Sequence, residues 1–467
     1  MRRSGKTLSY CPDCLDKQRR INELQEEVRC LKARMRYQER TAKEGPFGSS
    51  TPSSKVPVKP SSLPERQAKT GGGRCGHKGN GRRTVPEDQA DRVVDVPGAD
   101  CCPDCGGLLV DKGYRPRTVM EAQPVSVVRV VYRLARKHCP HCGKTVQPQA
   151  PGVLPKCQYG NGLLTYLATQ HYLYGTTLGQ LEKQTGIGIG SIVDALHQLA
   201  RRLGTVPQHL LEQYRRAPVK HADETGWRTD GGNGYSWLFA TPDVSLFRFR
   251  STRSASVVRE VFGPKRLPGV LVVDRYAGYN AAPCKIQYCF AHLLRDLQDI
   301  EKDFPDQAEA KAFVGSLAPL LASAMALRGL KLSKREFCKQ AAVLSGKIRG
   351  AINRPARHPA IQFYQDIFRQ KADRLYHWAK DPAVPAENNF AERELRPLVV
   401  ARKVSFGSQS KKGAATREIL MSVLHTLRKR APDPAAALRA CLDQAAINPT
   451  ADPYDLLFSK PPPRTRN

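Results

Sequence analysis

The order of hydrophobic patterns between Val219 and Ile300 restricts this chain's fold more than any other feature. "VKHADETGWR" starts a strand, "TDGGNG" is turn chemistry, and "YSWLFAT" and "VSLFRFR" are two further strands joined by "PD". Together they predict an antiparallel meander. "SASVVREVFG" at 254–263 has a serine start and a glycine stop, as a short helix does. "PGVLVVDRYAGY" is an unbroken apolar run that suits a strand covered on both faces and ends at Asp274. "KIQYCFAHLLRDLQDI" reads as a strand passing into a helix. The order β-β-β-α-β-β-α predicts a mixed five-stranded sheet with helices, inside an α/β multidomain chain.

Two acids, Asp223 and Glu224, interrupt the first of these strands, although the chain carries 75 Lys+Arg against 43 Asp+Glu. If strand one neighbours strand four, Asp223 and Asp274 lie side by side, and such carboxylates repel unless a cation sits between them. Oxygen ligands suit Mg²⁺, and a pair of such ions serves phosphodiester chemistry. Glu224 points to the other face of the strand and is not expected to share the metals. A third acid comes from "VPAENNFAERELRPLVVARKVSFGS", where Glu387, Glu392 and Glu394 are the candidates and Asn388 or Asn389 can cap a helix. Glu392 lies one turn before Arg396, on a short helix that Pro397 is expected to end. Arg393, Arg396, Arg402, Lys403, Lys411 and Lys412 surround it and are expected to hold DNA phosphates. Plainer roles stay open: Asp223 pairing with an arginine, Asp274 serving a turn, Glu392 pairing with Arg396 on a solvated face.

A net charge of +32, spread over the whole length, points to a polyanionic partner, and nucleic acid is the commonest. Apolar stretches such as 317–327 are too short to span a bilayer, and the basic N-terminus lacks an apolar segment. A cytoplasmic, nucleoid-associated protein with no membrane contact is the expectation. Fourteen cysteines then argue for metal sites or buried thiols rather than disulfides. Cys102-x2-Cys105 and Cys139-x2-Cys142 are knuckles separated by 33 residues, the four-thiolate set that structural Zn²⁺ prefers. "VSVVRVVYRL" at 125–134 would be the β-rich lead of a zinc ribbon. Cys101, His138 and His141 stand beside the knuckles as substitute ligands, and Cys11-x2-Cys14 has no second knuckle nearby.

The expected divisions are an N-terminal coiled-coil helix at 1–44, a flexible basic linker at 45–85, a zinc ribbon at 86–152 and a helical, helix-turn-helix-like DNA-binding segment at 153–215. The catalytic core opens at 216–294, is interrupted by a helical insertion at 295–385 and resumes at 386–430, before a tail at 431–467. Ile21, Leu24, Val28, Leu31 and Met35 form an a/d seam, for a short dimerising coiled coil or for packing on the chain itself. In "TLGQLEKQTGIGIGSIVDALHQLARR" a first helix over about 177–184 turns near Gly186, and Ser191 caps the second. A plain helical hairpin fits it as well as a DNA reader.

"HADETGWR", "VVDRYAGY", "CFAHLLRDL" and "ENNFAERELRP" resemble the catalytic blocks of bacterial DDE transposases of the insertion-sequence-66 family. The resemblance covers nearly the whole chain, including Gly76–Gly79, the zinc block and the zipper-like helix. It departs at Cys75, where the family has Pro, and after His292, where a pair of arginines is commoner. The resemblance implies an RNase H-like core whose triad, Asp223, Asp274 and Glu392, holds two Mg²⁺. It also implies a Cys-x2-His pair, Cys289 and His292. Such an enzyme cuts transposon ends and transfers the 3′-hydroxyl into target DNA. Its partners are double-stranded DNA, a second copy or a higher synaptic complex, and accessory transposition proteins. Two other readings stay open: an RNase H-like nuclease or resolvase without strand transfer, and a zinc and helix-turn-helix regulator with an inactive core.

Overall fold

In the computed structural model, residues 157–458 are described without interruption. Before them only 20, 21, 24, 44–45, 48–49, 86–89, 93, 100, 101, 105, 108, 110, 127–138, 140–142 and 145–155 are described. The chain divides into two units, 1–121 and 122–467. In the first, Arg20, Ile21 and Leu24 are helical, with Ile21 and Leu24 exposed. The rest of the expected seam, Val28, Leu31 and Met35, lies outside the described residues, as do Cys11, Cys14 and the stretch around Gly76–Gly79. A short 3₁₀ turn spans Glu87–Gln89, and Cys101 bridges Leu108 around the first knuckle.

The second unit is built on a sheet of five strands: β1 (Val219–Thr229), β2 (Gly232–Ala240), β3 (Ser245–Arg250), β4 (Val270–Val273) and β5 (Lys285–Tyr288). Their order is β3-β2-β1-β4-β5. The first three run antiparallel, while β4 is parallel to both β1 and β5. The expected mixed sheet is therefore present, with strand one beside strand four. The β1–β2 connection is Asp230-Gly231, both at positive φ (54° and 73°), the two-residue turn whose twist matches the flanking strands. Gly269 precedes β4 at φ 77°, and a Cβ there would lie 2.2 Å from the Pro218 carbonyl oxygen. Only glycine lets β4 begin against β1 at this register.

The period-two pattern sorts side chains between two covered faces. Trp237 and Phe239 point toward α5 (Ala255–Phe262), where Phe262, Tyr214 and Tyr279 meet them edge-on. Phe247 points the other way, its ring edge-on to His425 of α11 (Lys411–Arg430), while the backbone N–H groups of Ser245 and Phe247 donate to Thr426 Oγ1 and Ser422 Oγ on the same helix. Asp223 is paired with Leu238 and Glu224 with Trp237, so the two acids fall on opposite faces.

Ahead of the sheet come α1 (Asn161–Tyr172), α2 (Leu178–Thr185), α3 (Ile189–Arg202) and α4 (Val206–Arg216). Thr177 and Gln180 form a capping box on α2, and Gly186 ends it in the left-handed region. Gly188, not Ser191, stands at the N-cap of α3, and Ser191 lies inside the helix. The local serine signal lost because Glu182 already accepts the Ile189 N–H at 3.2 Å. One face of α3 is buried, with His197 bonded to Thr416 on α11 at 2.6 Å.

After β5 the chain forms α6 (Phe290–Asp303), α7 (Ala308–Leu327), α8 (Lys334–Ile352) and α9 (Pro359–Gln370). By length and composition alone Ala308–Leu330 could cross a membrane, longer than the apolar stretch expected. Phe313, Leu317, Leu321 and Ala324 are buried, and α7 packs between α6 and α8. Helix α10 (Asn389–Ser405) returns to β1, and α12 (Pro434–Ile447) and α13 (Pro453–Phe458) close against α1 and α4. Pro397 does not end α10, which continues eight residues beyond it. Burial of Ala391, Leu395 and Leu398 on the inner face outweighs the one backbone bond that the proline removes. Among the described residues no strand pairs with 127–136, while Lys137–His138 and Thr145–Val146 form a short ladder around the second knuckle.

Candidate active site

The ladder between β1 and β4 sets Val219 against Val270, Lys220 against Leu271 and His221 against Val272. Two residues further on, this register brings Asp223 level with Asp274 at the carboxyl end of β4. Glu392 is in the first turn of α10, the helix laid on β1. Burial, then the charges of Glu224, Asp274 and Glu392, push the Asp223 carboxyl up to about 7 against the opposing Glu224 N–H. The structure thus gathers the three acids into one electrostatic neighbourhood, although they are 51 and 118 residues apart (274 − 223 and 392 − 274).

Each carboxylate already has a partner. Asp223 Oδ1 accepts the Glu224 N–H at 2.9 Å, Asp274 Oδ1 accepts the Tyr276 N–H at 3.0 Å, and Glu392 Oε1 receives Arg295 Nη2 at 3.2 Å. Glu392 is therefore paired with an arginine of α6. Among the described residues no three of His, Cys, Asp and Glu are grouped closely enough to hold an ion. Carboxylate oxygens are the donors a hard cation prefers, and burial first, then the neighbouring acids, keeps Asp223 close to neutrality where no cation offsets them. His292 adds to this: its buried Nδ1 has no hydrogen-bond partner. Burial, then Arg295, hold that ring below the usual histidine range, against Asp274, Glu392 and Asp296.

Asn388 holds the neighbourhood together. It stands at the N-cap of α10 but makes no cap bond. Its Nδ2 donates to the Ala222 carbonyl at 2.8 Å and its Oδ1 lies 2.9 Å from His221 Nδ1, so that nitrogen carries the proton. Its backbone N–H donates to the buried Cys289 Sγ at 3.1 Å, and Cys289 N–H in turn donates to Val273 O at 2.8 Å. Cys289 and His292 thus start α6 beside the acids, and burial raises the Cys289 thiol. The sequence marked Asn388 only as a cap; its strand partners left no local signal.

Glu387 and Glu394, the other candidate third acids, are differently placed. Glu394 receives Lys429 Nζ at 3.0 Å and Ser245 Oγ at 2.9 Å on the α11 side. Burial raises the Glu387 carboxyl. Of the expected phosphate contacts, Arg393, Arg396, Lys403, Lys411 and Lys412 are exposed. Arg402 instead donates to Thr225 Oγ1 and the Gly226 carbonyl, both at 2.9 Å, and ties α10 to β1. Cys102 and Cys139 lie outside the described residues, while Cys101, Cys105 and Cys142 are exposed free thiols.

Comparison with known proteins places the chain in a family. The family described as "Transposase IS66 family" matches residues 156–416, and "zinc-finger binding domain of transposase IS66" matches 99–143. "Uncharacterized protein y4jD" of Sinorhizobium fredii is 23% identical over 407 residues, covering 77% of each chain.

Proposed function

Because this chain belongs to the IS66 transposase family, we propose that it cuts the ends of its own mobile element and joins the freed 3′-hydroxyls to target DNA on an RNase H-like core. The observation that supports this reading is the register of parallel neighbours β1 and β4, whose extension two residues past His221–Val272 brings Asp223 level with Asp274, with Glu392 on the helix packed against β1. These three residues would hold Mg²⁺, which would activate the attacking oxygen and stabilise the leaving one at a phosphodiester. Arg295 neutralises Glu392 until DNA arrives, and Asn388 fixes the spacing of strand and helix. Exposed Arg393, Arg396, Lys403, Lys411 and Lys412 would grip phosphates along α10 and the start of α11.

The zinc assignment goes forward from the sequence, with Cys102, Cys105, Cys139 and Cys142 as ligands, supported by the family match across them. The module and the α2–α3 pair would hold the terminal inverted repeats as a dimer or higher synaptic complex. Supplying DNA with pre-cut ends separates transposase from nuclease. Joined products in Mg²⁺ support the proposal, and hydrolysis without joining favours the nuclease.

A further inference from the structure

Glu224 is the acid that the metal reading leaves unused, yet its side chain is only 2% exposed. Burial raises its carboxyl, opposed by the Tyr279 hydroxyl that donates to one of its oxygens. The other oxygen receives Arg253 Nε at 2.8 Å and Nη2 at 2.6 Å. Arg253 is 44% exposed and lies 4.2 Å over the ring of Tyr276. The Tyr276 hydroxyl donates to the Arg253 carbonyl, and the Tyr276 N–H donates to Asp274. One arginine is therefore fixed on three sides: a buried carboxylate one residue from Asp223, an aromatic face two residues from Asp274, and its own tethered backbone.

We propose that Arg253 binds a DNA phosphate at the rim of the acid site, and that Glu224 is the positioning residue holding the guanidinium there. A guanidinium has five donors in a rigid fork, and Glu224 engages only the Nε and Nη2 groups. The exposed remainder faces solvent beside Asp274, where a phosphodiester would enter. Ion pairing with Glu224 and stacking on Tyr276 remove rotamer freedom before DNA binds, so little is left to lose on binding. This explains why an acid-poor chain keeps a second acid beside Asp223: it orients a cation on the sheet face opposite the exposed arginines of α10. The proposal rests on the transposase reading and adds a substrate contact to it.

The test uses full-length protein and a duplex carrying the inverted repeat that flanks the gene, with binding measured in Ca²⁺. Single methylphosphonates, which remove one phosphate charge, are placed in turn across the cleavage position. Arg253→Gln should weaken binding to the native duplex about tenfold and lower the salt slope by about one. It should have no further effect when the contacted phosphate is already neutral. Arg253→Lys should recover part of the affinity. If Arg253→Gln melts below wild type, Glu224→Gln with Arg253→Gln leaves no buried charge unpaired and should give the same coupling. Equal losses with every duplex, charged or neutral, would overturn the proposal. Cleavage by Asp223→Asn reports on the parent reading separately.

Discussion

Asn388 is bonded across the core to His221, with its Oδ1 2.9 Å from Nδ1, while the same side chain donates to the carbonyl of Ala222. One buried amide thereby fixes the strand residue before Asp223 and the helix that carries Glu392. Asn388→Ala leaves a ring N–H and a carbonyl unsatisfied, a loss of roughly 2–4 kcal/mol. Urea unfolding should register that loss, and end cleavage should fall with it. Wild-type stability in Asn388→Ala would remove the amide from this role.

Glu392 and Glu394 are two residues apart on one helix and should behave in opposite ways. Glu394 neutralises Lys429, a buried amine that burial lowers to about 8. Glu394→Gln therefore strands a buried cation and should lower stability by about 3 kcal/mol. Glu392 is half-buried and pairs with exposed Arg295, so Glu392→Gln should melt like wild type and lose cleavage. Thermal melts beside a cleavage assay separate the two, and reversed behaviour would move the third acid to Glu394.

Acid should weaken the contact between α1 and α11. Burial first, then Arg417, lower His171 to about 4, and burial first, then Arg428, lower His425 to about 3. His171 accepts from Arg417 on Nε2, and His425 Nε2 donates to the Tyr172 carbonyl. Glu394 favours the charged form of His425, and Lys429 opposes it. Both folded values lie below the ordinary 6.5. From 6.5 downward the unfolded chain therefore takes protons that the folded chain refuses. Stability is full above 6.5, falls as pH drops from there through about 4 for His171 and about 3 for His425, and levels off once both folded rings are charged. The loss is at most about 3 kcal/mol for His171 and about 5 kcal/mol for His425. Melting temperature against pH checks this, and His425→Gln should flatten the slope.

Much of the sheet could be read from Val219 onward because its signals are local: alternation within a strand, Asp-Gly at the turn, serine and glycine around α5. The adjacency of Asp223 and Asp274 needed one further assumption, that strand one lies beside strand four. Pro397 misled because helix-ending rules count one lost backbone bond and not the three apolar side chains that α10 buries. The bonds of Arg402 Nη1 to Thr225 and Gly226 left no local signal, because they reach across to β1. Asn388 and Arg253 could not have been found by spacing, since their partners lie 166 and 29 residues away.

Purified protein should carry about one Zn²⁺ per chain, lost when Cys102 and Cys105 are both changed to Ser. Elemental analysis decides it, and a folded wild type without zinc would contradict the four-thiolate assignment.

The most direct test of the central claim is end cleavage in Mg²⁺ by Asp274→Asn, measured on a duplex bearing the flanking inverted repeat. The expected result is a fall of about a thousandfold, equivalent to roughly 4 kcal/mol of barrier, with melting temperature and DNA affinity near wild type. Cleavage by Asp274→Asn at the wild-type rate would contradict it.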